Sequence, residues 1–233
     1  MKAVILAGGF GKRLKPLTDK TCKPMVRIGG RPLSEYAVKA LKAAGIEEVF
    51  FATGYRSEDV ESYYGDGRKF GMRFRYRKET TPLGTAGAVR ELKGELGEKF
   101  LCLPADGLSD VDLGAFSRAN TDGFVGALAV ALKEDTTGLG VVNFDDDLIV
   151  KSFVEKPLIS TKAYVNTGIY MFTSAVFDYI TDGFCDFGKN VFPNLSGKLK
   201  VFVHDGFWSD VGTLKSYEEA CKTVALGEKF KSL

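Results

Sequence analysis

The sequence predicts an α/β fold with a mixed, mostly parallel sheet and helices on both of its faces. Three observations carry this. Short apolar runs recur at 3–6, 49–52 and 100–103, each the length of a buried strand. Stretches with helical apolar spacing lie near 32–45, 57–65 and 85–92. Strand and helix thus alternate, the order that builds parallel sheets through right-handed crossovers and puts ligands at the carboxyl ends of the strands.

Ala3–Leu6 is the first strand, and it stops at Gly8, Gly9 and Gly11, where the backbone can turn tightly and approach a ligand with no Cβ in the way. Lys12, Arg13, Lys15, Lys20 and Lys23 follow, opposed only by Asp19. A glycine turn with bare N–H groups and clustered cations suits a polyphosphate. It is neither a Walker loop, since Leu6 and Arg13 stand where glycine and Ser or Thr are needed, nor a dinucleotide fingerprint, which needs glycine at Leu14. A solvated basic turn is the plain alternative.

Met25–Ile28 reads as extended, up to the turn Gly29-Gly30. Pro32 opens a helix with Leu33, Tyr36, Ala37, Ala40, Leu41 and Ala44 on one face, closed by Gly45. After the strand 49–52, Ser57 is expected to cap a helix that ends at Gly65, and Met72–Arg77 alternates as a strand whose arginines face water. A helix near Thr85–Leu92 leads to the strand Phe100–Leu103. The second half changes character, with strand-like pieces at 125–132, 140–144, 149–155, 166–172 and 199–203. Short helices are expected near 174–180 and 189–195, a last helix over 213–225, and a frayed tail over 227–233.

The 233 residues are 45% hydrophobic and 27% charged, which suits one generous soluble domain or a domain with a small appendage. A net charge of +2 argues against a general nucleic-acid binder, and no apolar run reaches membrane-span length, so neither nucleic acid nor membrane is an expected partner. No signal peptide is apparent. The four cysteines, Cys22, Cys102, Cys185 and Cys221, form no C-x-x-C pair, which speaks against zinc and for reduced thiols in a cytoplasmic protein. The single histidine, His204, ends a strand-like run and reads as a surface residue.

Further chemistry clusters at strand ends. In E-T-T-P-L-G-T-A-G, Gly84 and Gly87 allow close backbone approach and the next helix offers N–H groups. Asp106, just beyond a buried strand in L-P-A-D-G, can hold Mg2+ that also bridges phosphate oxygens, or can simply make an Asp-Gly turn. Asp210 in W-S-D-V-G-T can be a second carboxylate or a helix cap.

The stretch L-A-G-G-F-G-K-R-L-K-P-L-T with the later K-P resembles the signature of the sugar-1-phosphate nucleotidyltransferases. It departs at Lys12, where that family has Thr or Ser, at Cys22, where it has Pro, and near Asp106, where Ala105 replaces Gly. The resemblance implies a Rossmann-like, GT-A-like nucleotidyltransferase fold in a single domain. A nucleotide-binding half would span about 1–110 and a sugar-binding half about 111–225. It implies nucleotide binding by Leu6, Ala7, Gly8, Gly9, Gly11, Lys12, Arg13, Glu79, Gly84 and Asp106, and sugar-phosphate binding by Gly140, Glu155, Lys156 and Asn166. Asp106 and Asp210 would hold Mg2+, with Arg13, Lys23, Asp106 and Lys156 as the catalytic set. A homodimer is that family's habit.

The expected reaction joins a nucleoside triphosphate and a sugar 1-phosphate, giving a nucleotide sugar and pyrophosphate. The stretch E-T-T-P-L-G resembles that family's base-recognition loop, which implies that Glu79 reads the base edge. An ionised carboxylate only accepts, and guanine offers two adjacent donors, so GTP is favoured. The segments F-G-K-N-V-F-P and D-G-F-W-S-D-V-G-T resemble short enzymes acting on manno-heptose 1-phosphate, and the left-handed β-helix domain that many mannose-1-phosphate guanylyltransferases carry is not expected here. The sugar is thus expected to be mannose 1-phosphate or manno-heptose 1-phosphate. Alternatives are a glucose-1-phosphate uridylyl- or thymidylyltransferase and a non-catalytic regulatory subunit that binds nucleotide sugars.

Overall fold

The computed structural model describes residues 1–227 and 230. In chain order it begins with β1 (Lys2–Ala7), the hairpin β2 (Arg27–Ile28) and β3 (Arg31–Pro32), α1 (Leu33–Ala43), β4 (Glu48–Thr53), α2 (Ser57–Tyr64) and β5 (Arg73–Lys78). Then come α3 (Gly84–Arg90), β6 (Lys99–Pro104), β7 (Gly107–Ser109), α4 (Leu113–Ser117), β8 (Gly126–Lys133), β9 (Gly140–Phe144) and β10 (Val150–Glu155). The chain closes with β11 (Ala163–Thr173), β12 (Leu199–His204), β13 (Trp208–Asp210) and α5 (Leu214–Leu226). The alternation of strand and helix builds the expected α/β architecture with a mixed sheet.

Two compact units form, both discontinuous in sequence. The first contains Met1–Pro82, Leu103–Gly114 and the chain from Phe207; the second contains Leu83–Cys102 and Ala115–Gly206. In the first unit β1, β4 and β5 run parallel, with Ala7 level with Thr53 and Thr53 with Lys78. Val4, Ile5, Phe50 and Phe51 are buried, which is why these strands read as continuous apolar runs. β5 alternates because Phe74 and Tyr76 turn toward Phe51, Phe74 edge-on and Tyr76 stacked on it, while the residue between them faces outward. Its Arg75 pairs with Glu48 at 3.0 Å.

α1 buries Leu33, Tyr36, Ala37 and Leu41 and ends at Gly45, whose φ of +78° suits glycine. α2 departs from expectation. Ser57 is its first residue rather than its cap, and the cap position is Arg56, in the left-handed region at φ 53° with no side-chain cap bond. α5 carries a capping box in which Thr213 Oγ1 accepts from Ser216 N–H, worth about 1 kcal/mol. Capping here belongs to Thr213, not Asp210. Behind these elements Ile28, Leu33, Tyr36, Leu108, Val211, Ala220, Val224 and Phe230 form one core cluster.

In the second unit β11 lies antiparallel to β6, β8 and β9, β9 pairs antiparallel with β10, and β12 runs parallel to β8. Tyr170, Phe172, Phe187 and Phe192 pack ring against ring, Phe187 stacked with Phe172 and Phe192 and Tyr170 edge-on to Phe192. The two short helices expected here are tighter and looser turns instead. Ser174–Tyr179 is 3-10, and Phe187–Val191 is a π turn followed by the 3-10 turn Phe192–Asn194, where Pro193 offers no N–H to continue a helix.

His204 is half-buried at the end of β12. Of the expected tail, Gly227 donates its N–H to Thr223 and Phe230 is buried edge-on to Tyr36. Residues 228, 229 and 231–233 lie outside the described residues. Among the described residues no helix is long and apolar enough to cross a membrane.

Candidate active site

The glycine loop leaves β1 at Ala7. Leu6 carbonyl accepts from Ala105 N–H at 3.0 Å, which sets the chain leading to Asp106 beside the end of β1. A Cβ at Gly54 would lie 3.1 Å from the carbonyl oxygen of Gly8, so the β4 end and the glycine loop touch backbone to backbone. Gly11 sits at φ +65°, and a Cβ there would fall 2.9 Å from Thr18 Cγ2 and 3.0 Å from Lys23 Cβ. Its carbonyl accepts from Thr18 Oγ1 at 2.9 Å and from Leu14 N–H at 2.9 Å. The loop therefore folds back onto the segment that carries Lys23, leaving Gly9 facing open space and Lys12 and Arg13 exposed. Lys12 Nζ lies 5.6 Å from the centre of the Phe10 ring.

Asp106 follows β6 and Asp210 ends β13. Their meeting depends on the small antiparallel ladder of β7 and β13, where Asp210 stands opposite Gly107 and Val211 N–H donates to Asp106 carbonyl at 3.1 Å. The buried ammonium of Lys23 bonds Asp106 and reaches Asp210 Oδ1 at 3.4 Å. Burial alone would lower the Lys23 pKa, but Asp106 and Asp210 outweigh it, and the net shift is upward. Burial and the Asp106 charge push the Asp210 carboxyl up, against the pull of Lys23 and Arg13. A Cβ at Gly212 would lie 2.9 Å from Asp210 Oδ2 and 3.1 Å from Arg13 Nη2, so glycine there leaves room for both groups.

This donor set suits a hard divalent ion. Two carboxylates converge on one cation, and Mg2+ takes a few protein oxygens and completes its shell with phosphate and water. Among the described residues no group of three or more His, Cys, Asp or Glu side chains is placed to hold a metal ion.

Glu79 N–H donates to Thr53 carbonyl at 2.8 Å, and a Cβ on Gly8 would meet the Glu79 carboxylate at 3.6 Å. The carboxylate thus faces the glycine loop. Gly84 and Gly87, expected to admit a ligand, instead admit the chain itself: Cβ atoms there would lie 2.5 Å from Cys185 O and 2.8 Å from Gly183 O. The N–H groups of Ala86 and Gly87 both donate to Cys185 carbonyl at 3.0 Å, so the start of α3 is already satisfied.

In the second unit Glu155 stands opposite Gly140 in the β9–β10 ladder, and Val165 opposite Val141 brings the strand of Asn166 alongside. Cβ atoms on Gly140 and Gly188 would lie 3.0 and 2.6 Å from Glu155 Oε2, so both glycines make room for that carboxylate. Lys156 is exposed, 3.5 Å from Glu155 Oε1, with its backbone in the left-handed region at φ 51°. Asn166 sits at a bulge, donating to Tyr170 OH at 2.8 Å and accepting from Gly168 N–H at 3.1 Å. Sequence reasoning passed over Gly54, Gly188 and Gly212. Gly54 and Gly212 lie just past strand ends and Gly188 lies within the π turn Phe187–Val191, so the glycine itself is their only shared signal.

Known proteins share this arrangement of chain. A family model described as Nucleotidyl transferase matches residues 2–226. The catalytic subunit beta of mannose-1-phosphate guanylyltransferase from Drosophila melanogaster is 34% identical over 223 residues, covering 93% of this chain and 60% of that protein. The mannose-1-phosphate guanyltransferase of Schizosaccharomyces pombe is 35% identical over 228 residues, 93% of this chain and 62% of its own length. The chain thus spans less than two thirds of these relatives. Among solved structures, HddC from Yersinia pseudotuberculosis complexed with GMP-PN superposes with a TM-score of 0.82 at 26% identity, covering 95% of this chain and 98% of that one. A candidate glucose-1-phosphate thymidylyltransferase from Bacillus anthracis, in complex with a sucrose, gives 0.87 at 28% identity, covering 99% of both chains.

Proposed function

The chain belongs to the nucleotidyl transferase family, and from that premise we propose that it joins GTP to mannose 1-phosphate or a manno-heptose 1-phosphate, releasing pyrophosphate. The observation that carries this reading is the meeting of Asp106, Asp210 and Lys23 below the glycine loop that bears Lys12 and Arg13. The guanyl preference rests on Glu79 and is supported by relatives named as mannose-1-phosphate guanylyltransferases and by GMP-PN in the HddC crystal. A glucose-1-phosphate thymidylyltransferase is the second reading, which the Bacillus anthracis structure favours.

In this reading the whole chain works as one nucleotidyltransferase. Leu6, Ala7, Gly8, Gly9 and Gly11 line the triphosphate with backbone. Lys12 and Arg13 neutralise the triphosphate and the departing pyrophosphate, Arg13 through its two-pronged guanidinium. Glu79 accepts from guanine. Gly84 supports the nucleotide side only indirectly, by seating α3 against Cys185. In the second unit Gly140 and Glu155 face sugar hydroxyls, Lys156 pairs with the sugar phosphate and Asn166 meets the ring.

A sugar phosphate oxygen attacks the α-phosphorus, a new P–O bond forms, and the bond from the α-phosphorus to the bridging oxygen breaks with its electron pair leaving on pyrophosphate. The attacking phosphate is already ionised at neutral pH, so no general base is required, which is consistent with a site built without histidine. The protein must align two anions that repel and neutralise them. Lys23, held charged by its neighbours, and Lys156 supply that neutralisation. Mg2+ held by Asp106 and Asp210 supplies further positive charge at the phosphates when bound. Four free thiols fit a reducing cytoplasmic setting.

The decisive experiment measures pyrophosphate release with Mg2+, crossing GTP, UTP, dTTP, ATP and CTP with mannose, glucose and manno-heptose 1-phosphates. Fast release with GTP and a manno-configured sugar is expected. Preference for dTTP or UTP would overturn the base assignment, and no release from any pair would overturn the enzyme reading.

A further inference from the structure

Lys23 is an 8%-exposed lysine on a 3-10 turn, and such a group is useful only if its backbone is held still. Pro24 carbonyl is fixed by Ser34 Oγ at 2.9 Å on one side of the turn. On the other side the N–H of Cys22 donates to Asp59 Oδ2 at 3.3 Å, and the Thr21 side chain bonds the same carboxylate. Arg56 grips Asp59 with a fork, Nε to Oδ2 at 2.6 Å and Nη2 to Oδ1 at 3.0 Å. To do so Arg56 adopts a left-handed backbone at φ 53°, a conformation that a non-glycine residue takes only when its surroundings demand it.

The residue at 22 gives this contact its meaning. Proline, which stands here in the family that the sequence resembles, has no N–H and could not bond Asp59. In this chain Cys22 has φ −76° and ψ 158°, angles that proline also adopts, so proline could follow the same path here but without this hydrogen-bond donor. Its thiol, fully buried and pushed up to about 11 by burial and by Asp59, stays protonated and uncharged at neutral pH. The N–H is what Cys22 contributes.

We propose that Asp59, braced by Arg56, is a positioning residue for Lys23: by holding the Cys22 N–H it fixes the turn that presents the Lys23 ammonium to Asp106 and Asp210. In this assignment Asp59 and Arg56 act through the turn and not on the reacting groups. This assignment rests on the reading of Lys23 as a catalytic group.

Four variants and two readouts test it. Asp59→Ala lowers kcat about tenfold, the loss of a charged-acceptor hydrogen bond, with the KM for GTP within about twofold. Asp59→Asn, which keeps an acceptor oxygen, restores most of it. Cys22→Pro removes the donor together with the thiol and gives a fall of similar size, whereas Cys22→Ala removes the thiol but keeps the N–H and stays near wild type. The double variant of Asp59→Ala with Cys22→Pro is no worse than either alone, because both cut one link. Acetylation of Lys23 by acetic anhydride in metal-free protein, read by mass spectrometry, rises in both Asp59→Ala and Cys22→Pro.

Normal kcat in Cys22→Pro, additive losses in the double variant, or unchanged Lys23 labelling would each overturn the clamp. Should Asp59→Ala fail to fold, Cys22→Pro decides by itself. A wild-type protein that releases no pyrophosphate from any pair would sink the enzyme reading, while the labelling would still judge the clamp.

Discussion

Asp210 faces Gly107 across a two-strand ladder, and this places its carboxylate and that of Asp106 on one ammonium, that of Lys23. Two partly buried carboxylates this close repel, so a cation between them is a structural need as well as a chemical one. Lys23→Met removes that cation. The variant should lose kcat by at least about tenfold, as for other groups that stabilise developing charge, and should melt earlier than wild type in EDTA. Added Mg2+ should raise its melting temperature more than it raises that of wild type, since the ion now meets no competing ammonium. Thermal melts across a Mg2+ series check this; a melting temperature indifferent to Mg2+ would mean the two aspartates do not bind metal.

Arg13 is exposed, and its guanidinium lies near the Asp210 carboxylate, whose pKa it pulls down. It carries no core packing, so Arg13→Ala should leave the melting temperature almost unchanged. The loss should appear in turnover, with kcat/KM lower by about 100- to 1000-fold, the scale of removing a transition-state charge clamp. Steady-state pyrophosphate release together with a thermal melt separates the two effects, and near-normal turnover would remove Arg13 from the reaction.

The base-reading assignment turns on one side chain. Glu79 faces Gly8 with an acceptor-only group, and Glu79→Gln exchanges it for an amide that both donates and accepts. The ratio of kcat/KM for GTP over UTP or dTTP should fall by about 10- to 100-fold, because one guanine donor loses its acceptor and an amide suits uracil or thymine. Competition assays with the paired nucleotides measure the ratio directly. An unchanged ratio would place base recognition elsewhere.

The glycine loop was legible in sequence as an apolar run broken at Gly8, Gly9 and Gly11, and α1 as a periodic apolar face closed by Gly45; α5 was legible as a helix, but its cap is Thr213 and not Asp210, which the sequence offered. The ladder of β7 and β13 was not, since each strand has three residues and no period can show over that length. Asp106 and Asp210 were identifiable singly by resemblance, but their junction on Lys23 is a property of that ladder. Gly84 and Gly87 show the opposite failure. A glycine announces close approach without saying by what, and here the neighbour is the Gly183–Cys185 backbone. Asp59 gave no signal, because an acidic residue in the first turn of a helix is ordinary, and only the fold brings it to Cys22.

The thiols offer a test of packing that needs no substrate. Cys22, Cys102 and Cys185 are buried and Cys221 is half-buried, with no disulfide among the four. Burial and the Asp59 charge push the Cys22 thiol from 9.0 up to about 11. In the unfolded chain this thiol ionises near its ordinary value, so between the two values the folded state holds a proton that the unfolded state has lost. Stability from this group is therefore complete below pH 9 and declines as pH rises toward 11. At pH 8 iodoacetamide should modify Cys221 first, leaving the other three protected until the protein opens. Mass spectrometry of the alkylated protein over a pH series reads this, and rapid labelling of Cys22 at pH 8 would show that the Lys23 turn is looser than its hydrogen bonds to Asp59 and Ser34 imply.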